Sequence, residues 1–150
     1  MDELTRAKHR ALYILERCDR TEQELRTKLS RNYEPEIVEE AICYVKQYDY
    51  INDKRYAVNY LKSRCQIKSR RQVEQELLYK KGISRDILED ACQETEAQDE
   101  RLLIRSWMEK KHYSPETATQ EEQRRFYQFL MRRGFQSEDI LREMRSRAFE

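Results

Sequence analysis

The sequence predicts an all-helical chain of three tandem three-helix (helix-turn-helix-like) units, and three observations carry that prediction. The 150 residues include 2 Gly and 2 Pro, too few turn residues for a many-stranded sandwich or barrel. Apolar residues recur at helical spacing, as in Leu25 and Leu29 or Val73, Leu77 and Leu78. A helix-stop signature also repeats: Asn32-Tyr33, Gly82-Ile83 and Gly134-Phe135 each precede an amphipathic stretch, at intervals of 50 and 52 residues. Asn and Gly are the residues that most readily adopt the left-handed conformation that ends a helix.

The first unit spans 1–52. It opens with a helix from about Leu4 to Cys18, on which Ala7, Ala11, Tyr13, Ile14 and Leu15 face inward. Thr21-Glu22-Gln23-Glu24 then reads as a capping box, in which the Thr hydroxyl and the Glu carboxylate each accept a free amide. After Asn32 the third helix carries Ile37, Val38, Ala41 and Ile42.

The second unit spans 53–97. Its first helix runs from about Asp53 to Cys65, with Tyr56, Ala57, Tyr60 and Leu61 inward. Ser69-Arg70-Arg71-Gln72 repeats the capping signature 48 residues after the first, and the helix after Gly82 carries Ile87, Leu88 and Ala91. The third unit spans 98–150. It opens from about Asp99 to Lys111 with Leu102, Leu103, Ser106 and Trp107 inward. Ser114-Pro115 predicts a turn, and Thr117 or Thr119 caps a helix that runs to Arg133. About 50 residues is near the lower limit for a self-sufficient core, so neighbouring units are expected to stack.

Several classes are excluded. The longest apolar run, Ala11 to Leu15, has five residues, against about 20 for a bilayer span. The start, Met1-Asp2-Glu3-Leu4, lacks the basic and apolar regions of a secretory signal, which predicts a cytoplasmic protein without a membrane partner. Cys18, Cys43, Cys65 and Cys92 form no CxxC, and His9 and His112 lie far from any paired Cys. No metal site and no cofactor are expected. Cys43 and Cys92 are placed on apolar stripes as small hydrophobes. Tyr44, Tyr48, Tyr50, Tyr56 and Tyr60 are assigned mostly to packing. There is no Ser/His/Asp set on a glycine elbow, no phosphate-cradling loop and no HExxH helix, so no enzyme is predicted.

Charge separates the units. Residues 1–52 carry net −2, 53–97 net +2 and 98–150 net +1. From 54 to 81 nine cations (Lys54, Arg55, Lys62, Arg64, Lys68, Arg70, Arg71, Lys80 and Lys81) face two acids, Glu74 and Glu76. Such an excess predicts salt-sensitive, sequence-indifferent DNA binding. The third unit adds Arg124, Arg125, Arg132 and Arg133 in a stretch with no acid. Arg70 and Arg71 stand in a helix's first turn, where the macrodipole favours acids; a phosphate or a partner's carboxylate would repair the mismatch, and the alternative is a solvated basic face neutralised by acids such as Asp86 or Glu89. Arg70 and Lys81, 11 positions apart, return to one helix face at 3.6 residues per turn, so reversing both charges is expected to leave stability nearly unchanged. A direct DNA-binding helix-turn-helix transcriptional regulator is the alternative reading. Its reading helices would be Glu36–Glu40 and Asp86–Asp90, whose carboxylates repel phosphates. Arg142, Arg145 and Arg147 are explained by the dipole at a helix C-terminus.

The run Asp49-Tyr50-Ile51-Asn52-Asp53-Lys54-Arg55-Tyr56-Ala57, then Arg64, Val73-Glu74-Gln75-Glu76-Leu77 and Lys80-Lys81-Gly82-Ile83, resembles the RecX regulatory proteins of bacteria. Thr21-Glu22-Gln23-Glu24-Leu25-Arg26-Thr27-Lys28-Leu29 and Arg133-Gly134-Phe135 are similar to the same family. The resemblance implies three tandem three-helix repeats in a curved, elongated monomer. It also implies a non-enzymatic regulator that binds the RecA recombinase filament on single-stranded DNA and modulates its ATP hydrolysis and strand exchange, usually by inhibition. Asp49 stands where the family usually has Gly; Asp tolerates the left-handed conformation, so the turn is expected to survive.

Overall fold

Asp2, Thr21, Ser69 and Thr119 each place a side-chain oxygen where it accepts a free amide in the first turn of a helix. The acceptances run from Thr5 N–H at 2.7 Å, Glu24 N–H at 3.1 Å, Gln72 N–H at 3.1 Å and Glu122 N–H at 3.1 Å, respectively. Thr119, rather than Thr117, is therefore the third unit's cap. The reciprocal half of the first capping box is present as well, with Thr21 N–H donating to Glu24 Oε1 at 3.1 Å. These starts organise a computed structural model that describes residues 1–146. Among the described residues there are nine helices and no strand: α1 (Glu3–Arg17), α2 (Glu22–Leu29), α3 (Pro35–Gln47), α4 (Asp53–Arg64), α5 (Arg70–Tyr79), α6 (Arg85–Gln93), α7 (Glu100–Lys110), α8 (Gln120–Arg132) and α9 (Ser137–Ser146). Arg147 lies outside the described residues.

The stops are left-handed at four positions among the described residues: Asp49 (φ 58), Gly82 (φ 72), His112 (φ 54) and Gly134 (φ 88). In each case the next amide reaches back over the helix end. Tyr50 donates to Val45 at 2.9 Å, Ile83 to Leu77 at 2.9 Å, Tyr113 to Met108 at 2.8 Å and Phe135 to Leu130 at 3.2 Å. At Asp49, His112 and Gly134 that is the six-to-one bond of a Schellman stop, and at Gly82 the bond spans one residue more. Asp49 thus fulfils the role that the sequence assigned to it. Asn32 does not: its φ is not positive, and α2 ends through the Asn32 and Tyr33 amides, both donating to Leu29 O at 3.2 and 3.1 Å.

The described chain divides into two compact units, one of Met1–Tyr60 and Gln75–Thr95, the other of 61–74 and the described residues from 96 onward. The first unit's core gathers Ala7, Ala11 and Ile14 of α1, Leu25 and Leu29 of α2, and Val38, Ala41, Ile42 and Val45 of α3. Ala57, Leu77, Ile83, Leu88 and Ala91 are also buried residues of this unit. The second unit's core holds Ile104, Met108, Phe126, Leu130, Phe135 and Ile140.

Five inward assignments need correction. Tyr13 is 45% exposed, flanked by the Arg10 and Arg17 guanidiniums at 5.3 and 4.8 Å. Tyr48 and Tyr50 lie more than half exposed. Leu102 is 58% exposed, and α7 buries Ile104 and Met108 instead. The unbroken run Leu102-Leu103-Ile104 leaves the phase of the stripe open, and the Ile104–Met108 pair, one helical turn apart, wins it. Cys43 is exposed rather than inward, Cys18 is exposed, Cys92 is half-buried and Cys65 is buried. A thiol reagent under native conditions should therefore modify Cys18 and Cys43 quickly and Cys65 only after denaturation. Rapid native labelling of Cys65, read by peptide mass, would contradict this placement.

A joint recurs once within each unit, built from parts far apart in sequence. In the first, Asp53 Oδ1 at the start of α4 accepts Glu22 N–H at the start of α2 at 2.8 Å. Thr21 Oγ1 donates to Lys81 O at 2.7 Å, and Gly82 lies so close to Gln23 that a Cβ there would meet its Cβ at 2.8 Å. In the second, Glu100 Oε1 at the start of α7 accepts Arg70 N–H at the start of α5 at 2.9 Å. Ser69 N–H donates to Arg133 O at 3.0 Å, and a Cβ on Gly134 would meet Gln72 Cβ and Ser69 Oγ, each at 2.5 Å. In both, a carboxylate from the next repeat's first helix satisfies an orphan amide at a positive helix end. The exit of the next repeat's second helix packs beside it.

Burial raises the Asp53 carboxyl above the usual aspartate range, although Glu22 N–H works in the opposite direction. A carboxyl whose folded-state value lies above its unfolded one contributes most stability below the unfolded value. That contribution falls as pH rises through the folded one. Asp53→Asn keeps an acceptor oxygen and removes the half-buried charge. At pH 7 the variant should be as stable as the parent or more stable by under about 1 kcal/mol. The difference should vanish near pH 3, where the aspartate is itself protonated. Urea denaturation at both pH values checks this, and a clear loss at pH 7 would show that the charge holds the joint.

Candidate interaction surface

Positive side chains were expected to mark the working face, and their partners now sort them. In the first unit Lys54 pairs with Glu94 at 2.6 Å and Arg55 with Asp49 at 2.9 Å. The Glu94 hydrogen bond holds the Lys54 ammonium above the ordinary lysine value. Lys81 is half-buried, with its Nζ 3.4 Å from Glu24 and 6.0 Å from the centre of the Tyr60 ring. Burial opposes its charge, yet the Glu24 carboxylate and Tyr56 hold it above the ordinary lysine value. Lys80 is exposed.

In the second unit Lys62, Arg64 and Arg71 are exposed, and Lys68 is half-buried. Arg70 is half-buried, donating to Glu96 O at 3.3 Å and lying 3.4 Å from Glu74. The carboxylate that repairs the start of α5 is Glu100 of α7, neither Asp86 nor Glu89. Lys81 lies beyond the end of α5 at Tyr79, so it shares no helix face with Arg70. Both side chains are half-buried and bonded, Arg70 to Glu96 O and Glu74 and Lys81 to Glu24, the acid of the α2 capping box. Reversing their charges would therefore cost stability, contrary to the expectation from helical periodicity.

Arg124 is exposed, and Arg125 pairs with Glu121 at 2.8 Å. Arg132 donates its Nε–H to Gln128 O at 3.4 Å. Arg133 is structural: its guanidinium lies 4.4 Å from the Trp107 ring centre and 4.5 Å from that of Phe129, and its Nε makes no hydrogen bond. Trp107 is fixed in turn by donating Nε1–H to Ile67 O at 3.1 Å. The exposed cations that remain are spread over α4, α5, the turn after α5 and α8, while α3 and α6 expose Glu36, Glu39, Glu40, Asp86, Glu89 and Asp90.

Sequence reasoning missed one feature of the second unit. Lys111, read as the end of a helix, and His112 and Tyr113, to which no role was assigned, line a cavity of about 380 Å³ with Phe126, Phe129 and Arg132. A signal was present in the dibasic-aromatic run Lys110-Lys111-His112-Tyr113, directly before the Ser-Pro turn.

Residues 7–44 match the RecX first three-helix domain, and residues 99–144 match the RecX third three-helix domain. A Regulatory protein RecX of Caldanaerobacter subterraneus is 32% identical over 92% of this chain and 68% of its own length. The chain belongs to the RecX family. A Regulatory protein RecX of Clostridium perfringens is 31% identical over 89% of this chain, which spans 65% of that relative's length. Two solved RecX structures share the fold. RecX from Lactobacillus salivarius has a TM-score of 0.69 over 98% of this chain and 97% of its own, at 24% identity. A second, a regulatory protein RecX, has a TM-score of 0.72 over 92% of this chain and 70% of its own, also at 24% identity. RecX is a regulatory rather than an enzyme family. Among the described residues no helix is long and apolar enough to cross a membrane.

Proposed function

We propose that this chain regulates homologous recombination and DNA repair by binding the RecA filament on single-stranded DNA and modulating its ATPase and strand exchange, usually by inhibition. Membership of the RecX family carries this reading. The cation excess of the middle repeat supports it, since exposed Lys62, Arg71 and Lys80 remain available to phosphates after the ion pairs and joints are counted. Contacts of this kind weaken with salt, because each neutralised phosphate releases counterions. A groove-reading transcriptional regulator is disfavoured by the acidic faces of α3 and α6, the helices that would enter DNA in units one and two. Co-sedimentation with RecA, single-stranded DNA and a non-hydrolysable ATP analogue tests the proposal. Recovery of the protein with filaments at micromolar concentration is expected, and none would overturn it.

A further inference from the structure

The cavity between the turn that follows α7 and helix α8 lies in the second unit, and its walls follow from local sequence. The left-handed His112 stop ends α7 and turns Tyr113 back toward α8. On α8, Arg125 and Arg132 stand seven residues apart and Phe129 falls between them, so one helix face alternates cation, ring and cation. The rings share a common tilt. Tyr113 stacks on Phe126 at 4.4 Å and 9°, and Phe126 lies 6.4 Å from Phe129 at 19°. Phe129 is half-buried, and its face is covered by the ammonium of Lys111, 4.7 Å from the ring centre. Lys111 is an exposed, flexible side chain. Glu122 is the acid in the lining, against Lys111, Arg125 and Arg132.

We propose that this cavity is a base-stacking subsite for single-stranded nucleic acid, in which one base lies along the Phe129 ring while Lys111 and Arg132 hold the flanking phosphates. Three features favour a nucleotide over other occupants. The volume lies within the range of small-molecule sites. A column of nearly parallel rings accepts another flat ring, whatever the base, because every base has a π face. The cation excess selects an anionic chain. Lys111 now sits where the base would stack, and swinging it outward converts a cation–π contact into a phosphate contact. Burial, with Glu122 adding to it, lifts the Tyr113 phenol above the usual tyrosine value, so its hydroxyl stays a donor. This subsite differs from the sequence-indifferent phosphate binding expected of the middle repeat, and it requires no RecA.

Trp107, the chain's one tryptophan, packs edge-on against Phe129 at 4.9 Å and reports on the cavity. Its emission is followed while a short thymidine oligonucleotide, an abasic oligonucleotide of equal phosphate count, or an acidic peptide is titrated at low salt. The thymidine oligonucleotide should quench saturably and bind at least about tenfold more tightly than the abasic one, the scale of one stacked base. Phe129→Leu should bring the two oligonucleotides close to parity. Lys111→Glu, an exposed change that spares the core, should weaken both and is the deciding variant if Phe129→Leu fails to fold. Equal binding of the two oligonucleotides by the parent protein would overturn the base subsite. Tighter binding of the acidic peptide would overturn it in favour of a protein partner. Filament co-sedimentation by Lys111→Glu separates this site's failure from failure of the filament reading.

Discussion

Gly134→Ala should unfold well below the parent protein. Two costs add at this position. The backbone is left-handed at φ +88, which an L side chain adopts at a cost of roughly 1–2 kcal/mol. The new Cβ would also stand 2.5 Å from both Gln72 Cβ and Ser69 Oγ. These are short, anchored atoms beside the start of α5, so relief requires the joint to open, and forced overpacking costs about 1–3 kcal/mol. Together they suggest a loss of about 2–5 kcal/mol, or a fall in Tm on the order of 5–20 °C for a chain of this size. Gly82→Ala should lose less, because the atoms that its Cβ would meet at 2.8 and 2.9 Å belong to the flexible Gln23 side chain. Asn32→Ala is the control. Asn32 is an exposed helix exit without positive φ, and its replacement should stay within about 0.5 kcal/mol. Thermal unfolding followed by circular dichroism orders the three, and equal melting of Gly134→Ala and Asn32→Ala would refute the joint as described.

The same joints explain which parts of this fold could be read in advance. Capping is local: Thr21 and Glu24, or Thr119 and Glu122, are three residues apart. Their chemistry therefore does not depend on the rest of the chain. The stops at Gly82 and Gly134 were legible for a related reason, since a glycine at the end of an apolar stripe has few other uses. His112 carries no such mark; it belongs to the minority of non-glycine residues that enter this conformation. The stripe of α7 was misphased because three consecutive apolar residues fit two helix faces equally well.

Charge was the least legible property. Residues 54–81 hold nine cations against two acids, of which Glu74 pairs with Arg70, but other acids that meet this stretch lie elsewhere in the sequence. Glu24 is 57 residues from Lys81, Glu94 pairs with Lys54, and Glu100 reaches the amide of Arg70 from 30 residues away. A local window cannot see such neutralisation. Glu24 ties Lys81 into the scaffold, Glu74 and the Glu96 carbonyl hold Arg70, and the rings of Trp107 and Phe129 hold Arg133. Lys62, Arg71, Lys80 and Arg124 are left as exposed members of the set. The cavity of α7 and α8 was hidden for the opposite reason, since Lys111 and Tyr113 meet Phe129 and Arg132 only once the His112 stop has turned the chain.

Lys62→Glu combined with Arg71→Glu should therefore separate binding from folding, a separation that reversal at Arg70 and Lys81 would not achieve. Lys62 stands exposed near the end of α4 and Arg71 exposed in the first turn of α5. Neither takes part in the joint bonds of Ser69, Arg70 and Glu100. An acid in the first turn of α5 also suits the helix macrodipole, so Arg71→Glu should be neutral or slightly stabilising. The double variant is expected to melt within a few degrees of the parent, since exposed substitutions usually move stability by at most about 0.5 kcal/mol. Its affinity for single-stranded DNA at physiological salt should drop by roughly tenfold, and the dependence of log affinity on log salt should flatten by about one for each phosphate that is no longer neutralised. On the proposed filament-binding function, inhibition of the RecA ATPase should weaken in parallel. A variant that keeps both the parent's salt slope and its inhibitory potency would show these two residues to be a solvated surface. The working cations would then be Lys80, in the first unit, or those around Arg124 and Arg132 on α8, where the cavity already gathers rings and positive charge.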